Sequence, residues 1–148
     1  MRIETLTREH LEGCAALLVS VFNEEPWNEH WSSETAREHL SWTLNMPGFL
    51  GFVAFEDSVM GFAAGYREPG DRGSVFYLRI LCVSPHARRR GVGRKLLERM
   101  EGALEEEVRL IYLITHRNTP AQTFYENGGF RTSPEDILML RERLKEDS

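Results

Sequence analysis

The stretch from Val83 to Leu97 holds the residues whose types and spacing most clearly suggest chemistry. An apolar, β-type run from Ser74 to Val83 leads into it. A turn follows at Ser84-Pro85, and a helix is expected to open near Gly91. Gly91 and Gly93 let a ligand approach the main chain where a Cβ would block it. The first N–H groups of a helix have no internal acceptor and lie at the positive end of its dipole, so a helix start is an anion site. Arg88, Arg89, Arg90, Arg94 and Lys95 surround this one, in a chain whose formal net charge is −5. The combination reads as a cradle for a diphosphate. Residues 91–96, Gly-Val-Gly-Arg-Lys-Leu, do not complete G-x-G-x-x-G, because Leu96 stands where the third glycine belongs. They also lack the spacing and the Lys-Ser or Lys-Thr of a P-loop.

The rest of the chain must position this cradle. Its 148 residues predict one domain, 1–148, large enough to bury a core without disulfides or metal. The hydrophobic and charged fractions, 41% and 28%, are those of ordinary globular proteins. No apolar run approaches the roughly 20 residues of a membrane span, and Met1 to Glu4 have no signal-peptide character. A cytoplasmic protein with no membrane association is expected. Cys14 and Cys82, far apart and in apolar contexts, read as free, reduced core thiols. The five histidines show no metal-ligand spacing, so no metal is predicted. The acidic balance, with no second basic cluster, argues against a nucleic-acid partner.

Taken in order, Arg2 to Leu6 reads as a strand and Thr7 as the cap of a helix with its stripe at Leu11, Cys14 or Ala15, Leu18 and Val21 or Phe22. Pro26 ends that helix. Ser32 or Ser33 caps a second helix, Glu34 to about Asn45. Two apolar runs, Phe49 to Phe55 and Val59 to Tyr66, form a hairpin around Glu56-Asp57-Ser58. Gly61, Gly65 and the alanines between them suggest close backbone contact in the second run. Glu68 to Gly73 reads as a turn, Gly91 to Glu107 as a helix, and Leu110 to Thr115 as a central strand. Pro120 and Gly128 or Gly129 delimit a short helix. Phe130 to Thr132 and Ile137 to Leu144 read as closing strands, with Lys145 to Ser148 frayed. The class is mixed α+β.

Arg88-Arg89-Arg90-Gly91-Val92-Gly93 matches R-x-x-G-x-G, after a strand of type L-x-V-x-P at Leu81, Val83 and Pro85. Residues 118–130 match N-x-x-A-x-x-F-Y-x-x-x-G-F through Asn118, Ala121, Phe124, Tyr125, Gly129 and Phe130. Together the two segments resemble the signatures of the GNAT superfamily of N-acetyltransferases, and the element order agrees along essentially the whole chain. The resemblance implies a mixed, mostly antiparallel sheet of about seven strands with about four helices. It also implies two parallel strands that splay beside the cradle to admit the arm of acetyl-CoA. It assigns Leu81, Cys82, Val83, Arg88, Arg89, Arg90, Gly91, Val92, Gly93, Arg94, Lys95, Asn118, Ala121, Phe124 and Tyr125 to the cosubstrate. Tyr125 would be the general acid for the departing thiolate. A backbone N–H at the bulged end of the strand, at Cys82 or Val83, would stabilise the oxyanion.

The base is left open. The strand before the cradle, where many family members carry a carboxylate, has no acid between Val75 and Leu81. Glu24, Glu25 and Glu29 in the loop from Phe22 to Trp31 are candidates, as is Tyr77. In this fold that loop borders the acceptor site. Trp27 and Trp31 would wall an apolar or cationic group, with Glu24, Glu29 and Tyr77 completing the substrate contacts. The same tryptophans also suit a plainer role, stapling the loop to the core. The expected function is transfer of an acetyl group to a primary amine of a small molecule or peptide by direct attack in a ternary complex, by a monomer or homodimer. The alternative is a non-catalytic acyl-CoA-binding sensor or interaction protein on the same fold.

Overall fold

A computed structural model describes residues 1–143. The chain divides into two compact units, Met1–Ile114 and Thr115–Ser148. The first holds β1 (Arg2–Thr5), α1 (Leu11–Phe22), α2 (Ser33–Leu44), β2 (Phe49–Glu56), β3 (Ser58–Gly70), β4 (Gly73–Val83), α3 (Val92–Ala103) and β5 (Val108–Tyr112). Short 3-10 turns precede α1 and α3. The second unit holds α4 (Pro120–Asn127).

The five strands lie in sequence order in one sheet. β1 to β4 pair antiparallel, and β4 pairs β5 parallel, with α3 as the crossover. Alternation along β3 separates the two faces. Phe62 and Ala64 join Cys14, Ala15, Leu18, Ala36 and Leu40 in the core under α1 and α2. On the other face, Gly61 meets Leu96 and Val92 of α3. Ser32 caps α2 as expected, its hydroxyl accepting the Thr35 N–H at 3.0 Å.

Several expectations are corrected. The segment Glu68 to Gly73 is not an open turn, because β3 runs to Gly70 and pairs with Gly73. α3 stops at Ala103, with Leu104 extended, rather than reaching Glu107. Gly102 and three successive glutamates, Glu105 to Glu107, oppose helix there, since acids are unfavourable at the negative end of the dipole. β5 begins at Val108, pairs only with β4 among the described residues, and so lies at the sheet edge rather than centrally. Among the described residues the sheet has five strands, not about seven, because residues 130–143 form none. Ser133 turns the chain instead, its hydroxyl accepting the N–H of Glu135 at 3.3 Å and of Asp136 at 3.0 Å. The apolar run that follows, Ile137 to Leu140, is largely exposed, and β-type sequence without a ladder partner does not make a strand. Leu144 and the expected frayed end lie outside the described residues. Among the described residues no helix is long and apolar enough to cross a membrane, and no group of His, Cys, Asp and Glu gathers to hold a metal ion.

Candidate active site

The cradle is built by local rules. Ser84 starts a 3-10 turn, Pro85–Arg90, its carbonyl accepting the Ala87 N–H at 2.9 Å. Ala87 is buried, and the three arginines that follow face outward. Gly91 then takes a left-handed conformation, φ 71° and ψ 22°, which an L side chain rarely adopts. The first bond of α3 runs from the Lys95 N–H to the Gly91 carbonyl at 3.0 Å, so the amides of Val92 and Gly93 precede it. No side chain caps this helix, and its first turn holds no acid. Val92, Leu96, Leu97 and Met100 anchor the other side in the core, while Arg94 and Lys95 are exposed. An uncapped helix start ringed by guanidinium groups suits a diphosphate anion. Arg90 pairs with Glu56 of the β2–β3 hairpin at 2.7 Å. That contact holds the Glu56 carboxyl below its ordinary range and raises Arg90.

Upstream, the parallel ladder ends at the pair Tyr77–Tyr112. β4 continues to Val83 without β5 beside it, so the two strands part on the approach to the cradle. Leu81 and Val83 are half-buried along that free stretch. Cys82 is fully buried, and burial, reinforced by Cys14 and countered by Arg88, pushes its thiol far above its usual range. Any role of Cys82 is therefore confined to its main chain.

The irregularity expected near Cys82 or Val83 lies earlier. Ala64 pairs with Ile80 and Gly65 with Leu78, leaving Arg79 as the extra residue of a bulge. A bulge switches which side chains share a face. Ala64 and Tyr66 lie on the α1–α2 face, so their partners Ile80 and Tyr77 lie there too. The result is an aromatic row that sequence alternation does not foresee. Trp42 of α2 meets Tyr66 edge-on at 6.4 Å, Tyr66 meets Tyr77 at 5.7 Å, and Tyr77 stacks on Tyr112 at 4.8 Å. The Arg79 guanidinium lies 5.4 Å from the Trp42 ring centre and 5.9 Å from that of Tyr77. Tyr112 donates its hydroxyl proton to Glu68 at 2.5 Å. Burial and then this bond hold the phenol well above its usual range.

The tryptophan loop is pinned by its own contacts. Asn23 donates to the Trp31 carbonyl at 2.9 Å and accepts the Trp31 N–H at 2.8 Å. The Trp31 indole N–H donates to Glu29 at 2.6 Å, and the Trp27 ring packs edge-on against Phe22 at 5.4 Å. Trp31 also lies 5.0 Å from His39, whose pKa is lowered to about 4, chiefly by burial and then by Arg79. Glu24 and Glu25 are exposed at the head of the loop. Two of its residues, Glu29 and Trp31, are thus engaged with each other.

In the second unit, Thr119 caps α4, and Asn118, at φ 59°, donates its N–H to Gln122. The Tyr125 ring meets Phe124 at 5.3 Å and Phe130 at 5.6 Å, both edge-on. The Phe130 N–H returns to the Tyr125 carbonyl at 3.0 Å. Ala121 lies on the first turn of the same helix.

Sequence reasoning missed Trp42, Tyr66, Glu68, Arg79 and Tyr112. The one available signal was Gly65: a Cβ there would lie 2.1 Å from the Tyr77 carbonyl oxygen, so glycine is what lets β4 approach at its bulge.

The Acetyltransferase (GNAT) family model matches residues 17–130, across both units. No curated protein matches the chain. Among solved structures, one described as "a probable acetyltransferase" is 27% identical, with TM-score 0.79, over 99% of this chain and 100% of that one. Aminoglycoside N-acetyltransferase AAC(6')-Iy, solved with CoA, is 22% identical at TM-score 0.76, over 97% of this chain and 95% of its own. The aminoglycoside acetyltransferase meta-AAC0020 from an uncultured soil metagenomic sample, solved with sisomicin, is 22% identical at TM-score 0.71, over 97% and 96%. At these identities the two aminoglycoside enzymes share the fold with this chain.

Proposed function

The chain belongs to the acetyltransferase (GNAT) family, and from that premise we propose that it is an acetyl-CoA-dependent N-acetyltransferase of a primary amine on a small molecule or peptide. The observation that carries the reading is the start of α3, an uncapped, acid-free helix N-terminus ringed by Arg88, Arg89, Arg94 and Lys95. The amides of Val92 and Gly93 and these cations hold the diphosphate. The main chain from Leu81 to Val83 holds the arm that carries the acetyl group, and the family signature in residues 118–130 assigns Asn118, Ala121 and Phe124 to the same cosubstrate. Acetyl-CoA supplies the thioester; the acceptor amine attacks it directly.

Tyr125 protonates the departing sulfur. With reference pKa values of about 10 for tyrosine and 8.5 for a thiol, that transfer is uphill by roughly 2 kcal/mol, and burial of the thiol narrows the gap. Tyr77, at the point where β4 and β5 part, contacts the acceptor. Glu24 and Glu25 remain the candidate bases on the loop, whereas Glu29 holds Trp31.

The test is an amine-panel acetylation assay with mass detection, run with thiol release. Polyamines, amino acids, peptides and aminoglycosides are included, the last because two structural matches carry that name. Acetylated product with stoichiometric thiol supports the reading. One observation favours the non-catalytic alternative: β4 has no acid from Val75 to Leu81. CoA binding without thiol release across the panel would decide for it.

A further inference from the structure

We propose that Arg79 anchors an anionic group of the acceptor, so that the amine acetylated here also carries a carboxylate. The inference rests on the N-acetyltransferase reading and narrows its substrate class.

Arg79 is the bulge residue of β4, two positions past Tyr77 and on the stretch where β5 no longer accompanies the strand. Its Nε is buried and has no hydrogen-bond partner. Among the described residues no carboxylate pairs with it. Acids are not scarce: the chain has 23, and Arg37, Arg67 and Arg90 each hold one, on Glu12, Glu107 and Glu56. Glu68, on the sheet face of this aromatic row, is instead engaged by the Tyr112 hydroxyl.

The rings of Trp42 and Tyr77 hold the guanidinium in place, since cation–π contacts orient a planar cation without using its N–H groups. The result is a fixed guanidinium with no counter-charge among the described residues: its Nε is shut in by the fold, and the half-buried side chain has its remaining exposure at the terminal nitrogens. A cation held partly out of water with no opposite charge gains when an anion arrives at those nitrogens. A carboxylate matches the two terminal N–H groups with two parallel bonds. The neighbour on α2 does not compete: His39 is neutral at working pH and brings no negative charge. An acceptor carrying only positive charge would meet Arg79 as a repulsive group.

The experiment compares L-amino acids with their carboxamides as acceptors for acetyl-CoA. The carboxamides have the lower amine pKa and more free base at neutral pH, so chemistry alone favours them. Wild type is expected to prefer the carboxylate by at least about tenfold in kcat/KM, mostly through KM. Arg79→Gln is expected to bring that ratio near one, and Arg79→Lys to restore part of it. Equal preference in wild type, or equal loss on both acceptors in Arg79→Gln, overturns the proposal. Stronger use of aminophosphonates than of carboxylates overturns carboxylate as the class. Retained CoA affinity in Arg79→Gln excludes misfolding.

If no amine is acetylated, the 15N Nε–H resonance of Arg79 is followed during titration with sodium acetate against sodium chloride. A saturable shift upholds the anion site while the transferase reading fails. No shift overturns the anion site.

Discussion

Tyr77 and Tyr112 are the last partners of the parallel β4–β5 ladder, and their rings stack 4.8 Å apart with planes 19° from parallel. The stack closes the paired part of the two strands just where they begin to separate. Tyr112 is further tied to Glu68 through its hydroxyl. Tyr112→Phe keeps the stack and removes that bond, and is expected to cost about 1 kcal/mol. Tyr112→Ala removes both and is expected to cost about 2–3 kcal/mol, below the value for a fully buried ring. Denaturant unfolding of the two variants checks the order. Equal losses would mean that the ring contributes nothing.

Gly65 faces the bulge. An added Cβ would lie 2.1 Å from the Tyr77 oxygen and 2.8 Å from the Phe76 ring, and a backbone atom cannot rotate away. Gly65→Ala is expected to destabilise by about 3 kcal/mol. Gly102, on α3, has nothing within 4 Å of the same atom, so Gly102→Ala is expected to stabilise by about 0.5 kcal/mol. Thermal unfolding should move in opposite directions for the pair.

His39 has a folded pKa of about 4 against an ordinary 6.5, so the unfolded chain binds more protons between those values. Stability from this residue is therefore full above pH 6.5 and is lost as pH falls toward 4. The ring is only half-buried, so solvent screening reduces the full linkage to roughly 1–2 kcal/mol. His39→Gln is expected to lose less stability than wild type over that window. Parallel curves of unfolding free energy against pH would show that His39 does not titrate as described.

Tyr125→Phe keeps the edge-on contacts with Phe124 and Phe130 and removes only the hydroxyl. With Tyr125 as the acid, kcat is expected to fall about 10²-fold while KM for acetyl-CoA holds. Unchanged kcat at saturating substrates would remove Tyr125 from the chemistry.

Much of this architecture was legible because it is local. The cradle follows from proline, arginines and glycines at fixed offsets, α1 from its apolar stripe, α2 from its Ser32 cap and α4 from Pro120 and Gly128; Thr7 caps the short 3-10 turn before α1 rather than α1 itself. The aromatic row from Trp42 to Tyr112 was not legible, for a physical reason. Residues 75–83 are a nearly continuous apolar run with no polar–apolar alternation to report register, so the extra residue at Arg79 cannot be read from the pattern, yet it decides that Tyr77 shares a face with Ile80. The closing strands were over-read, because the apolar run at Ile137 reports β propensity and not the presence of a ladder partner. The end of α3 was missed because Leu104 continues the apolar stripe up to a run of acids, Glu105 to Glu107, that the helix dipole disfavours.

Titration calorimetry with coenzyme A tests the central claim most directly, since everything proposed begins with the diphosphate at the start of α3. One molecule is expected to bind per chain in roughly the micromolar range, with affinity falling as salt rises and falling again in Arg88→Gln. A folded sample that gives no heat and no affinity at any ionic strength would contradict the account.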